Sequence, residues 1–255
     1  MRLMVDANII SVFIGIESPN EASLRETRKF QNVRAGGTLV EKVHRIQEAG
    51  LEVWCGLIVG FDHDDETIFD AQLKFIAEAR IVTAMIGMLT AIPKTPLYDR
   101  LAAEGRLDLA HESEYGTNVI PSRLDREQLR EGYVRVLNAL SEADSYFERL
   151  EDLYLGARLN FSRGANRHWR GHPWRLFRVK GLFLVQALGL LARLAWHVPD
   201  PALRREYLRR VGRLLRARRD PGVLWIYVVK CVMQYHAHTM ARRMVEGRAP
   251  LVNTF

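Results

Sequence analysis

The sequence predicts an α/β fold: a partial β/α barrel of three parallel strands, followed by a mostly α-helical carboxyl-terminal domain. The apolar run at residues 53–59 ends at Gly60 and is too short for a membrane span, which is typical of a strand buried on both faces. Strand and helix patterns alternate around it, as they do in parallel sheets with right-handed crossovers. The charge also changes sign, from net −7 in residues 1–150 to net +14 in residues 151–255. A charge reversal of this kind indicates a domain boundary.

The first strand is predicted at residues 11–16 and leads directly into Glu17 and Ser18. Ser18, Pro19 and Glu21 have the spacing of a capping box with proline at N1, so a helix is expected to begin there with Ser18 as its N-cap.

A second helix is predicted to open with the capping box of Thr38 and Glu41 and to stop at Gly50. The central strand follows, and a third strand is predicted at residues 84–89. The order of elements is therefore strand, helix, helix, strand, helix, strand, helix.

Polar groups follow each of the three strands. They are Glu17 after the first, Asp62 and His63 after the second, and Thr95 after the third. Parallel strands end at one edge of a sheet, and that edge is where open α/β sheets and β/α barrels bind ligands. We therefore expect these groups to share one face.

The remainder of the chain is predicted to be helical. A capping box at Asp125 and Gln128 predicts one long helix to about residue 155, and further helices are expected at residues 174–197, 202–218 and 222–246. The predicted domains are residues 1–115, a half barrel, and residues 116–255, a basic helical domain.

Composition favours a cytoplasmic location. Two cysteines, Cys55 and Cys231, cannot build a disulfide framework or a four-thiolate metal site. The first ten residues lack a basic segment followed by a long apolar run, so no signal peptide is predicted. The longest apolar run, residues 181–192, is shorter than the roughly 20 residues that a spanning helix needs.

Three linked segments carry a family resemblance. They are V-F-I-G-I-E-S-P-N at residues 12–20, G-L-I-V-G-F-D-H at 56–63 and M-L-T-A-I-P-K-T-P-L at 88–97. Together they resemble the fourth, fifth and sixth strands of radical S-adenosylmethionine (SAM) enzymes, most closely the cobalamin-binding branch of the hopanoid C-2 methylase type. Residues 116–255 resemble the accessory domain that follows the barrel in that branch. The resemblance implies SAM binding and cobalamin-dependent methyl transfer to an unactivated carbon of a lipid-like or other organic substrate.

One feature of that family is absent from the sequence. The family holds its [4Fe–4S] cluster with a C-x-x-x-C-x-x-C loop after the first strand, and this sequence has neither that loop nor the first three strands. The chain therefore resembles a carboxyl-terminal fragment, and a fragment without three thiolates cannot hold the cluster. Cluster and cobalamin ligands would come from a missing amino-terminal half, which is the expected partner.

The resemblance assigns cofactor-binding roles to residues at the strand ends. Glu17 would accept hydrogen bonds from the ribose or the amino end of SAM, with Ser18 beside it. Gly56, Ile58 and Gly60 match a motif whose apolar residue packs on adenine and whose glycines let the backbone approach the ligand. A rim carboxylate and an ordinary buried strand are the alternative interpretations.

The loop after the third strand supplies the remaining candidates. Proline fixes φ and removes donors there, so carbonyl oxygens near Ala91, Ile92 and Pro93 would face the adenine amino group. An ordinary turn before a helix explains the prolines equally well. No residue of the chain is assigned a catalytic role.

No metal site is predicted. The acids Asp62, Asp64 and Asp65 beside His63 are expected at a helix N-terminus, because the helix dipole attracts negative charge. Cys55 is expected to be an inert buried thiol.

The arginine-rich helix near residues 202–218 leaves three interpretations open. In the first interpretation its arginines are solvated or paired with acids of the first domain. In the second they bind the anionic inner face of a membrane, and in the third they bind nucleic-acid phosphates. The first is favoured, and nucleic acid is the least expected partner.

Two other functions remain open beside SAM binding. The first is a non-catalytic remnant or interaction module of a truncated gene. The second is an ordinary metal-independent barrel enzyme. The latter needs a paired acid and base at the strand ends, where only Glu17, Asp62 and His63 are available, with Lys94 the one lysine at those tips.

Overall fold

The computed structural model describes residues 1–26, 29–33, 37–156, 159, 169, 171–249 and 251. The strands are β1 Ser11–Glu17, β2 Glu52–Val59 and β3 Thr83–Met88. The helices before residue 120 are α1 Arg2–Asp6, α2 Glu21–Glu26, α3 Phe30–Val33, α4 Leu39–Glu48, α5 Thr67–Glu78, α6 Pro96–Ala103 and α7 Glu112–Tyr115. The later helices are α8 Arg126–Ser141, α9 Ala143–Tyr154, α10 Pro173–His197, α11 Pro201–Ala217 and α12 Pro221–Val245.

The three strands form one parallel sheet in the order β1-β2-β3. β2 pairs with β3 from Trp54 opposite Thr83 to Val59 opposite Met88. The predicted fold class, an α/β arrangement of three parallel strands followed by a helical region, is therefore confirmed.

One face of the sheet is buried. In β2 it carries four side chains without solvent exposure, and the register places two buried side chains of β3 beside them. These residues are Val53, Cys55, Leu57, Val59, Ile86 and Met88. Because side chains alternate along a strand, the residues between them point the other way.

The opposite face is only partly covered. Trp54, Gly56 and Ile58 of β2 are half-buried, and they lie beside Thr83, Met85 and Gly87 of β3. A Cβ atom on Gly56 would lie 3.1 Å from Phe13 Cζ and 4.0 Å from Gly15 Cα, which places β1 residues on the same face. We call this surface the open face; it consists of Phe13, Gly15, Glu17, Trp54, Gly56, Ile58, Thr83, Met85 and Gly87.

The described residues group into two compact units. One comprises residues 1–12, 45–52 and 141–239, and the other comprises residues 13–44, 53–140 and 240–255. The open face from Phe13 onwards lies within the second unit. The domain division after residue 115 stays a prediction, since these units group residues by contact rather than by chain order.

Several predicted helix ends are confirmed. The capping box of Thr38 and Glu41 forms, with Thr38 N donating to Glu41 Oε2 at 2.8 Å and Glu41 N donating to Thr38 Oγ1 at 3.2 Å. Asp125 and Gln128 exchange equivalent bonds at the start of α8. Gly50, with φ of 102°, follows the end of α4 as predicted.

The single long helix predicted from Asp125 is wrong, because it is interrupted between α8 and α9. Glu142 has ψ of 135°, which is extended backbone. The carbonyl of Ser141 accepts a hydrogen bond from Gln234 Nε2 at 2.6 Å. A side chain distant in sequence thus satisfies a carbonyl that a continuous helix would have bonded internally.

The apolar run at residues 181–192 lies inside α10, a helix of 25 residues. Within the described part of the chain, α10 alone is long and apolar enough to cross a membrane by length and composition. Length and composition do not distinguish a spanning helix from one that lies on a surface.

Candidate functional site

Glu17 has a strained backbone at the end of β1. Its φ is 69°, and Ser18 N donates to Ile16 O at 2.9 Å across it. A bond between residues two apart around a positive φ is the mark of the rare, strained γ-turn. Such strain collects at ligand-binding sites, where the surrounding structure holds it in place.

The carboxylate of Glu17 is directed over the open face. A Cβ atom on Gly15 would lie 2.6 Å from Glu17 Oε1, so a side chain at position 15 would displace this carboxylate. Lys29 Nζ lies 2.9 Å from the same oxygen and fixes its position. The carboxylate keeps further lone pairs for a ligand.

Ser18 is fully buried, and its hydroxyl accepts a hydrogen bond from Asn20 N at 3.1 Å. The prediction that Ser18 is the N-cap is wrong. α2 begins at Glu21, and Asn20 Oδ1 accepts from Ala22 N at 2.9 Å, which is the bond of an N-cap. Asparagine is as good a cap as serine, so sequence pattern alone did not separate them.

Gly15 and Gly56 lie next to each other on β1 and β2, and a side chain covers each of them. The Phe13 ring lies 3.1 Å from the position that a Cβ atom of Gly56 would take, and the Glu17 carboxylate lies over Gly15. The Phe13 ring is more than half exposed, so the open face carries an exposed aromatic ring beside a carboxylate. A planar base stacks on an aromatic ring, and a carboxylate accepts hydrogen bonds from sugar hydroxyls.

Ile58 lies on the open face toward the end of β2, and Gly60 follows the strand. Ile58 packs against the cluster of buried residues Phe61, Leu89, Ala91, Leu101 and Val119. Gly60 has φ of 99°, a conformation that side-chain-bearing residues rarely adopt. The predicted cofactor contacts of Gly56, Ile58 and Gly60 stay predictions.

Asp64 anchors the loop after β2. Its Oδ2 accepts from Gly60 N at 3.0 Å and from Phe61 N at 3.1 Å, while its Oδ1 accepts from Ser23 Oγ at 2.7 Å. Burial raises the pKa of Asp64 to about 6, against the opposing effect of these hydrogen bonds. The sequence predicts that either Asp64 or Asp65 caps α5. Asp64 is turned inward, and Asp65 accepts a hydrogen bond from Thr67 N at the start of the helix.

The backbone of Ala91 is bonded by the amide side chain of Asn118. Asn118 Oδ1 accepts from Ala91 N at 2.8 Å, and Asn118 Nδ2 donates to Ala91 O at 2.9 Å. Ile92 O accepts from Thr95 Oγ1 at 2.7 Å, and Pro93 is exposed. The carbonyl oxygens of Ala91 and Ile92 each keep a second lone pair that is available to a ligand. The adenine contacts predicted for Ala91, Ile92 and Pro93 stay predictions.

The sequence did not identify Lys29, Asn118 and Asp64 as residues that shape the site. A lysine near an acid has no recognisable pattern when 12 residues separate them, and Asn118 lies 27 residues after its partner. Asn118 lies among residues 116–255, which the resemblance assigns to the accessory domain.

Charged side chains join the loop after β2 to α6. Arg100 Nη1 donates to Asp62 Oδ2 at 2.5 Å, and Arg106 Nη2 donates to Asp62 Oδ1 at 2.6 Å. Burial would raise the pKa of Asp62, but the hydrogen bonds of Arg106 and Arg100 outweigh it and lower the pKa. Glu26 accepts from His63 Nδ1 at 3.1 Å. Among the described residues no group of three or more metal-ligating side chains could hold a metal ion.

The two cysteines do not fit an iron–sulfur cluster. Burial raises the pKa of Cys55 to about 12 and raises that of Cys231 as well, so both are neutral thiols. Cluster ligation needs thiolates, and the family uses three. The two cysteines of this chain therefore cannot hold the cluster.

Three named proteins are similar to the chain. An uncharacterized methyltransferase of Synechocystis sp. is 37% identical over 155 residues, 58% of this chain and 28% of that protein. A hopanoid C-2 methylase of Rhodopseudomonas palustris is 36% identical over 119 residues, 47% of this chain and 22% of that protein. A bacteriochlorophyllide d C-12(1)-methyltransferase of Chlorobaculum tepidum is 28% identical over 143 residues, 54% of this chain and 30% of that protein.

These similarities confirm the resemblance to the radical SAM branch of the hopanoid C-2 methylase type. The chain matches less than a third of the length of each of these relatives. No solved structure matches the chain. A family model described as a domain of unknown function, DUF4070, matches residues 95–249, and the chain belongs to that family.

Proposed function

We propose that the open face binds SAM and that the chain is the SAM-binding portion of a radical SAM methyltransferase. The observation that carries this proposal is the Glu17 carboxylate at the carboxyl end of β1, beside the exposed Phe13 ring on the open face of a parallel sheet. The carboxyl ends of parallel strands are where ligands bind. All three similar proteins are named methylases or methyltransferases, which supports the same reaction class.

The candidate residues have binding roles in this proposal. Glu17 accepts hydrogen bonds from ribose hydroxyls or the amino end of SAM, and the exposed Phe13 ring above Gly56 receives the flat part of the ligand. Ile58 packs against adenine. The loop at Ala91, Ile92 and Pro93, held in place by Asn118, presents carbonyl oxygens to the adenine amino group. Bound there, SAM supplies an activated methyl group.

The finer features of the reaction rest on the family resemblance. We propose cobalamin dependence and a lipid-like or other organic substrate with an unactivated carbon. The [4Fe–4S] cluster and cobalamin would be held by a separate amino-terminal half, because the cysteines of this chain do not fit a cluster. That half is the proposed partner.

Calorimetric titration of the full chain with SAM tests the proposal. Glu17→Gln keeps the side-chain size but removes the charge, and loss of charge-assisted hydrogen bonds worth about 1.5–3 kcal/mol is expected to weaken binding by roughly 10- to 100-fold. Glu21→Gln is the matched control, since Glu21 is exposed and pairs with Arg25 within α2. Failure of the wild-type chain to bind, or equal binding by both variants, contradicts the proposal.

A non-catalytic interaction module is the second candidate. The observation that favours it is the pair of buried neutral cysteines, which cannot supply the cluster thiolates. An interaction module would bind no SAM, so the same titration separates the two candidates.

We also propose a cytoplasmic location with peripheral contact at the inner membrane face through the basic tail. Exposed arginines occur on two helices of the tail, Arg175, Arg178 and Arg193 on α10 and Arg205 and Arg216 on α11. Arg210 and Arg213 of α11 instead form ion pairs with Glu151. Exposed arginines are attracted to anionic lipid headgroups.

A further inference from the structure

One side of α10 packs within its own unit. Ala187 and Leu194 are buried, and the Phe183 ring stacks on Trp225 of α12 with ring centroids 5.3 Å apart. Lys180 Nζ lies 2.9 Å from Asp220 Oδ2 at the start of α12. These contacts hold the helix against α12 along one side.

The opposite side of α10 is apolar and exposed. Trp174, Phe177, Val185, Leu188 and Trp196 are 81%, 73%, 69%, 54% and 84% exposed. Their spacing of three, eight, three and eight residues places them on one stripe of a helix. We call these five residues the outer stripe.

The outer stripe is long for a protein surface in water. Trp174 and Trp196, at its two ends, are 22 positions apart, which is about 33 Å at a rise of about 1.5 Å per residue. Contiguous exposed apolar patches of this size mark interaction sites with proteins or membranes. A core helix of a water-soluble domain would bury the stripe instead.

The chemistry of the flanking residues favours a lipid surface over a protein. Both ends of the stripe are tryptophans, which prefer the boundary between lipid tails and headgroups. Pro173–His197 contains no acidic residue, and Arg175, Arg178 and Arg193 are exposed cations along the helix. Arginines next to an apolar face are attracted to anionic headgroups.

We propose that the outer stripe of α10 lies in the surface of an anionic lipid bilayer, with the helix parallel to the membrane. The packed side stays on α12, so the stripe enters the headgroup region while the helix remains part of its unit. The proposal names the surface responsible for the peripheral location proposed above, and it rests on that proposal but not on SAM binding.

Flotation of the full chain with lipid vesicles tests the proposal. Vesicles of phosphatidylcholine alone are compared with vesicles containing phosphatidylglycerol as well, and the chain is expected to float only with the second. Leu188→Glu places a carboxylate in the stripe at an already exposed position, so folding is preserved and vesicle binding is expected to fall by about tenfold or more.

Leu208→Glu is the matched control. Leu208 is an exposed leucine of the basic helix α11, and the substitution changes the charge by the same amount. Wild-type flotation that is lost in Leu188→Glu and retained in Leu208→Glu supports the proposal. Flotation that is retained in Leu188→Glu and lost in Leu208→Glu would place the membrane contact on α11 and overturn the proposal.

Three further outcomes also overturn it. The first is no flotation of the wild-type chain. The second is resistance of the bound chain to alkaline extraction, which indicates a spanning helix. The third is a dimer in solution that binds no vesicles and that Leu188→Glu converts to a monomer. SAM titration of Leu188→Glu, expected to match wild type, separates failure of this proposal from failure of the proposed function.

Discussion

At the scale of single residues, Asp64 shows how a buried carboxyl group shapes the candidate site. It receives hydrogen bonds from two backbone amides and from Ser23, all within 3.1 Å. Burial nevertheless raises its pKa to about 6, above the ordinary value of 3.8. The loop that carries Gly60 therefore depends on a group that titrates in mildly acidic solution.

The raised pKa predicts a pH-dependent stability. Because the folded state favours the protonated form, the contribution of Asp64 is complete below about pH 4 and is lost as the pH rises through about 6. The free energy of unfolding is expected to fall by about 3 kcal/mol across that range. Asp64→Asn does not titrate; its carbonyl oxygen accepts from Gly60 N and Phe61 N, and its NH2 group donates to Ser23 Oγ, reversing that bond. Denaturation from pH 4 to 7 should therefore show the fall in wild type only.

Asp64→Ala provides the comparison for the hydrogen bonds themselves. It leaves Gly60 N and Phe61 N without their acceptor, and each unsatisfied buried group costs about 1–3 kcal/mol. The alanine variant should therefore be less stable than the asparagine variant at every pH. Parallel pH profiles for wild type and Asp64→Asn would contradict the raised pKa.

At the scale of elements, residues 117–119 hold the loop after β3. Thr117 Oγ1 donates to Leu89 O, and the amide of Asn118 bonds both backbone groups of Ala91. An antiparallel bridge pairs Leu107 with Val119. A segment that the sequence suggested only as the start of the accessory domain thus positions the loop proposed to contact adenine.

Asn118→Leu is expected to release the backbone of Ala91. Loss of a buried hydrogen bond should make the Ala91 amide exchange with solvent on the order of tenfold faster, as measured by hydrogen exchange. Thr117→Val is the matched control, because it removes a hydroxyl that bonds Leu89 and not Ala91. Unchanged exchange at Ala91 in Asn118→Leu would show that the amide is not held by this side chain.

Local sequence patterns predicted the elements better than their connections. The buried strand, the capping box at Thr38 and the stop at Gly50 follow from neighbouring residues, and the structure confirms them. The break after Ser141 depends on Gln234, 93 residues away, and no local pattern encodes that bond. The same limit applies to the site: strand ends could be predicted, but the Lys29 and Asn118 contacts could not.

At the scale of the molecule, one buried network joins three distant parts of the chain inside the first unit. Lys230 Nζ lies 2.5 Å from Glu52 Oε1, and Tyr154 donates to Glu52 Oε2 at 2.8 Å. All three residues are buried. Burial lowers the pKa of Lys230 despite the attraction of Glu52.

Lys230→Met is expected to destabilise the chain strongly. It leaves the Glu52 carboxylate buried without its cation, at a cost of about 3–5 kcal/mol in the free energy of unfolding. The double variant Glu52→Gln with Lys230→Met removes both charges and should recover most of that loss. Lys74→Met, at an exposed position, is the control and should change stability little.

Chemical denaturation of the wild type and these three variants tests the prediction. A double variant no more stable than Lys230→Met would mean that the unpaired charge is not the cause. The network connects β2 to α9 and α12 through residues up to 178 positions apart, which is why no sequence pattern predicted it.

The most direct test of SAM binding at the open face uses the methyl groups of methionine as reporters. Met85 lies on the open face beside Gly56, whereas Met88 lies on the buried face beside Val59. With carbon-13-labelled methionine methyl groups, addition of unlabelled SAM is expected to shift the Met85 resonance and leave that of Met88 in place. A shift of Met88 without Met85, or no shift of either at saturating SAM, would contradict the proposed site.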